Sequence, residues 1–218
     1  MTGTTREIRT FSEDEELVSQ RRRQIVDCAI QVFVRNGYQK TRMSDIARAC
    51  GISKGLLYHY VSCKEDVLYL VAHDQAEGTI KGFGALQEQC KEMSPTDALL
   101  EYIRFYYKVV HDTQDYQVFL NQLAALLPRA DRRILFDADR FALEILQEIL
   151  ERGVKSREFE IEDLTITAHN ILLLGRTWAD RRWFLARRYT FGQYLDIQTR
   201  AILRAIRPQA PAGTAGAD

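Results

Sequence analysis

Cysteine is sparse in this chain: Cys28, Cys50, Cys63 and Cys90 are scattered among 218 residues. Four so dispersed make no disulfide scaffold and point to a reducing compartment. Long apolar runs are also missing. A stretch such as residues 123–127 falls far short of the ~18–20 residues of a membrane span. Residues 2–20 are polar and acidic and lack the apolar core of a signal peptide, so a cytoplasmic protein without membrane attachment is expected. No alternating strand pattern of useful length and no internal repeat occurs. Gly-x-Ser-x-Gly, a Walker loop and His-Glu-x-x-His are absent, so neither catalytic residues nor a cofactor is expected. Cys50, His59 and Cys63 match no zinc module, and no metal is expected. Gly82-Phe83-Gly84 lacks the third glycine and preceding strand of a dinucleotide fingerprint and reads as a helix interruption. A surplus of either charge is lacking too: 30 basic and 30 acidic side chains cancel. Taken whole, that neutrality argues against a generic nucleic-acid binder.

Charge by segment reverses the inference. Residues 1–18 hold Arg6 and Arg9 against five acids, a balance of −3. Residues 19–64 hold nine basic side chains opposed only by Asp27 and Asp45, a balance of +7, and the remainder carries −4. Such clustering is an electrostatic footprint for phosphate, although a solvated basic surface has the same composition. With 46% hydrophobic residues the chain has enough apolar side chain for a real core, in one or two domains.

The apolar pattern is helical nearly throughout. Ile25, Ala29 and Phe33, with Val26, Ile30 and Val34, form one face, and Gly37 is a natural stop. A short helix over 44–50, capped by Ser44, is followed by Gly51 and by a third helix from the Ser53 cap to about Tyr60. Ser62 and Glu65 have capping-box spacing and launch a fourth. Gly78, Gly82 and Gly84 loosen the chain, and Ser94-Pro95 restarts it. Further helices are expected over 98–111, 116–127, 132–152 (ended by Gly153), 161–179 and 190–206. The chain is expected to be all-α, with an acidic arm (1–18), a helix-turn-helix domain (19–67), a larger effector-binding and dimerisation domain (68–207) and a low-complexity tail (208–218).

Two short helices joined by Ala49-Cys50-Gly51-Ile52 after an amphipathic helix make a helix-turn-helix. Ile46, Ile52, Leu57 and Val61 close a small core against the first helix. Ser53, Lys54, Gly55, Tyr58 and His59 are then left outward, as donors and small groups suited to a major groove. Tyr60 reads as core and Tyr58 as a phosphate contact. Cys63 reads as an incidental thiol, with a redox role the weaker reading. A packing αα-corner without DNA is the bland alternative, but the motif falls inside the +7 block.

Thr41-Arg42-Met43-Ser44-Asp45-Ile46-Ala47 and the run GISKGLLYHYVSCKE over 51–65 resemble the signature of the TetR family of transcriptional regulators, over roughly residues 20–70. The resemblance implies an all-helical homodimer that binds double-stranded operator DNA and is released by a small-molecule effector. It places Thr41, Arg42, Ser53, Lys54, Gly55, Tyr58, His59 and Lys64 at positions that commonly face DNA. Leu56 stands where Thr is usual and Val61 where Phe is usual.

The rest of the chain is expected to hold the effector. Tyr102, Phe105, Tyr106 and Val109 form an aromatic stripe that suits core or pocket. Asn121, Gln122, His169 and Asn170 are polar interruptions of apolar helices and candidate pocket residues. Residues 170–190, with Arg176, Trp178, Arg181, Arg182, Trp183, Arg187 and Arg188, are similar to the closing helices of TetR-type regulators that sense acyl-CoA thioesters. That likeness implies arginines on CoA phosphates and Trp178 or Trp183 on adenine or at a tunnel mouth. The same residues suit a dimer rim. Multidrug or aromatic-compound sensing is the second effector reading, and a sequence-neutral architectural DNA-binding protein the second function.

Overall fold

The computed structural model describes Ile8, residues 14–114 and residues 117–208. Every regular element among them is an α-helix: α1 (Glu15–Asn36), α2 (Met43–Ala49), α3 (Lys54–Tyr60), α4 (Lys64–Cys90), α5 (Pro95–Asp112), α6 (Gln117–Leu126), α7 (Arg133–Lys155), α8 (Leu164–Asp180), α9 (Arg182–Leu185) and α10 (Phe191–Ile206). Most of the expected arm and tail lies outside the described residues. Side-chain caps mark five of the ten helix starts. The Asp14, Ser53, Ser94, Asp163 and Thr190 side chains each accept an amide of the first turn, satisfying donors that have no helical partner.

The chain divides into two compact units, Met1–Ile80 with Val118–Asp139, and Lys81–Gln117 with Arg140–Asp218. The expected boundary at residue 67 differs from this division for a physical reason. Phe119, Leu123 and Leu127 of the α6 segment join the apolar cluster of α1, and the Phe119 ring stacks on Phe33 at 5.6 Å. That cluster is otherwise built from Ile25, Ala29 and Phe33 of α1, Ile46 of α2, Leu57 and Tyr60 of α3, and Val67, Leu68 and Val71 of α4.

The second unit packs α5 against α8 and α10 around an aromatic core. Tyr102 donates to the Ala142 carbonyl at 2.9 Å and Tyr107 to the Ile171 carbonyl at 3.0 Å. Each buried hydroxyl thereby recovers the hydrogen bond it loses with water. Gly175 lets α8 approach, since a β-carbon there would lie 2.8 Å from the Tyr106 and Tyr107 rings.

Four local expectations are corrected. Gly78, Gly82 and Gly84 do not interrupt α4, which runs through all three; Phe83 and Leu86 are buried and hold that stretch in the core. Gly153 does not end α7. A β-carbon there would fall 1.9 Å from the Phe159 ring, so this glycine supplies space. The reversal comes instead at Arg157 (φ 63°), a left-handed position where glycine is usual. The Ser62 amide is received by Asp66 at 2.9 Å, one residue past the expected box, while Glu65 accepts the Tyr38 hydroxyl at 3.4 Å. At the start of α2 it is Asp45, accepting the Arg42 amide at 3.0 Å, that caps in place of Ser44.

Candidate DNA-binding site

The recognition surface follows from the turn before it. Gly51 has φ +67°, and a β-carbon at this position would meet nothing within 4 Å, so glycine is needed there for backbone conformation alone. The Ile52 amide then reaches back to the Ala47 carbonyl at 3.0 Å. Ser53 starts α3 by accepting the Leu56 amide at 3.1 Å. Leu57 and Tyr60 are buried against α1, and helical geometry turns the opposite face outward.

That face carries Ser53, Lys54, Gly55, Leu56 and Tyr58, all exposed. The Lys54 ammonium lies 5.7 Å from the centre of the Tyr58 ring, so a cation and a phenol sit together over one turn. His59 is half-buried with its ring edge-on to Tyr60 at 5.2 Å. Arg42 is exposed at the start of α2, and Arg48 extends outward from its last turn.

Two residues expected at DNA have partners within the protein. Thr41 is only 2% exposed, and its hydroxyl donates to the Gly37 carbonyl at 2.9 Å. Lys64 directs its ammonium to the carbonyls of Tyr38 (2.9 Å), Gln39 (3.3 Å) and Thr41 (3.0 Å). A lysine has three donors, and these bonds occupy them all. Both residues therefore hold the α1–α2 loop and act on Arg42 through the backbone. Arg22 is a positioning residue that the sequence did not single out. Its guanidinium donates to the carbonyls of Tyr60 (3.3 Å) and Ile8 (2.8 Å), tying the end of α3 to α1. Burial pushes its pKa down while nearby Asp66 pulls it up. Within a run of three arginines nothing marks the middle one.

Within the second unit the expected effector residues are divided between core and surface. Tyr102 is fully buried core, and Tyr106 is half-buried beside Gly175. Trp178 is buried, donates to His111 Nδ1 at 2.9 Å and packs on Phe191 and Tyr194, so its indole is committed to the core. His169, Asn170 and Arg176 are exposed on α8, with His169 Nδ1 bonded to the Thr165 carbonyl at 2.8 Å. Gln122 is exposed in the first unit, and the Asn121 side chain lies outside the described residues. An open groove of about 1010 Å³ runs between α8 and α10, lined by Ile166, Asn170, Leu173, Thr177, Ala201 and Ala205 among others. Among the described residues no group of His, Cys, Asp and Glu is placed to hold a metal, and no helix is long and apolar enough to cross a membrane.

Residues 25–69, which take in the later part of α1, all of α2 and α3 and the turn between them, match the family model for bacterial regulatory proteins of the tetR family. Over this segment the chain is similar to the TetR family. It is a DNA-binding transcriptional regulator, and its relatives are regulators in turn. It is 24% identical over 191 residues to the HTH-type transcriptional regulator HbdR of Aromatoleum sp. (strain CIB), covering 87% of this chain and 82% of that one. The TetR fold extends past the matched segment. The FadR regulator of Bacillus subtilis, solved with stearoyl-CoA, aligns with TM-score 0.63 and 21% identity over 84% of this chain and 95% of that one. AibR, solved with isovaleryl coenzyme A and operator DNA, aligns with TM-score 0.70 and 22% identity over 83% and 97%.

Proposed function

We propose that this protein is a homodimeric repressor whose α3 face reads a pseudo-palindromic operator and which an acyl-CoA thioester releases. The observation that carries the DNA reading is the exposed Lys54–Tyr58 pair on α3, inside the +7 block. Ser53, Lys54, Gly55 and Tyr58 meet the groove and its phosphates, with Arg42 and His59 at the margin. Two-fold symmetry suits this reading, because paired recognition helices about 34–36 Å apart meet successive major grooves.

The dimer is proposed to form through α8 and α10. Ile166 and Leu173 on α8 and Ile197 on α10 are exposed at 61%, 58% and 44%, alongside the groove between those helices. Asn170 lies in that groove and on this reading belongs to the interface. The effector class is supported by FadR and AibR, both solved with a CoA thioester. Residues 181–190 support it too, with four arginines, no acid, and exposed Trp183 and Phe184. Arg188 lies 4.2 Å over the Phe184 ring, an arrangement suited to a phosphate-bearing ring system. Trp183 takes the stacking role that buried Trp178 has no free face for.

Retention of the upstream DNA of its own gene tests the proposal. Specific retention at moderate salt, lost on adding a long-chain acyl-CoA, is expected. Equal competition by scrambled DNA would favour the architectural alternative, and release by a small aromatic compound but no CoA thioester would overturn the effector class.

A further inference from the structure

We propose, on the reading that α3 meets operator DNA, that its Leu56 recognises the C5-methyl group of thymine and so sets a base preference. Leu56 is 37% exposed, and its backbone and side chain have separate tasks. The amide donates to Ser53 Oγ at 3.1 Å and starts the helix. The side chain stays out of the apolar cluster of the first unit. Among the described residues, α3 gives Leu57 and Tyr60 to that cluster, and Met43 of α2 and Ile52 of the turn pack against it, whereas Leu56 does neither.

Position on the helix decides what such a side chain meets. Each residue advances about 100° around an α-helix. With Leu57 and Tyr60 turned inward, Lys54 and Tyr58 therefore lie on one flank of the outward face and Leu56 on the other. The first flank carries a cation 5.7 Å from the centre of a phenol ring and suits phosphate. Between the flanks is Gly55, where an added β-carbon would meet nothing nearer than Ser53 Oγ at 3.9 Å. With no side chain in that place, the α3 backbone can come close to base edges, within reach of a side chain as short as leucine.

A leucine side chain neither donates nor accepts a hydrogen bond, so on DNA it gains only by covering apolar surface. Base edges in the major groove present donors and acceptors, and the thymine methyl is the apolar group among them. Over the amino group of cytosine or the N7 of a purine, Leu56 would strip water from a polar atom without replacing it. The same side chain thus favours thymine and penalises the other bases.

The test uses the full-length protein and the upstream DNA of its own gene, with single thymines replaced by deoxyuridine, which lacks the methyl and keeps every polar group. At one thymine of each half-site the wild-type affinity should fall about fourfold, the effect of uncovering one methyl-sized group. Leu56→Ser should keep the wild-type melting temperature, bind the unmodified fragment more weakly, and lose nothing further from deoxyuridine at that thymine. In a cytosine–guanine pair placed there, 5-methylcytosine should bind the wild type more tightly than cytosine does. If Lys54→Ala weakens binding but no deoxyuridine does, or if one weakens the wild type and Leu56→Ser equally at every sensitive thymine, the methyl contact is overturned and the DNA-binding face stands. If the wild type shows no specific retention of the fragment, both are overturned.

Discussion

The Lys64 ammonium sits 4.4 Å from the centre of the Tyr38 ring and donates to the carbonyl of the same residue at 2.9 Å. One side chain thus clamps the loop that leads to Arg42 from both its ring and its backbone. Hydrogen bonds to charged groups contribute about 1.5–3 kcal/mol, so Lys64→Ala should cost stability on that order. Chemical denaturation checks it. An unchanged unfolding midpoint would make Lys64 a surface phosphate contact instead.

Gly153→Ala should destabilise the second unit by about 1–3 kcal/mol, because the new methyl would enter the Phe159 ring. Phe159→Leu in the same chain should restore part of the loss by vacating that space. A thermal melt of the two single variants and the double variant measures the coupling.

Tyr107 is buried, and burial pushes its phenol pKa well up from the ordinary value. A phenol that ionises more readily unfolded than folded stabilises the fold below about pH 10, and that contribution is lost as pH rises further. Absorbance at alkaline pH should therefore show Tyr107 ionising only as the protein unfolds, and Tyr107→Phe should flatten the alkaline side of the stability profile.

Leu173→Glu replaces an apolar side chain that is 58% exposed on α8 with a charge that a dimer core excludes. A shift to monomer in sedimentation velocity, with the helical content unchanged, is the expected outcome. A persistent dimer would place the interface on another face.

The helices and the DNA-binding motif were legible because their signals are local. Gly51 and Ser53 act within four residues of their own positions, and the burial of Ile25, Ala29 and Phe33 repeats at helical spacing. Less legible were roles set by partners far away in the chain. Gly153 looks like a helix stop until Phe159 is seen against it. Thr41 and Lys64 look like surface donors until their carbonyl partners at Gly37, Tyr38 and Gln39 are known. Trp178 looks like a ligand-stacking residue until His111 and Phe191 enclose it. Acceptors on the backbone leave no mark in the sequence, and neither does the pairing of aromatic rings across helices.

The central claim is that the exposed face of α3 binds operator DNA, and the salt dependence of affinity tests it most directly. Fluorescence anisotropy of a labelled operator fragment should give a log–log salt slope that Lys54→Ala reduces in magnitude by about 0.9 for each phosphate it leaves unneutralised. Tyr58→Ala should weaken binding as well, and both variants should keep the wild-type melting temperature. Unchanged affinity and slope in both variants, with the fold intact, would contradict the account.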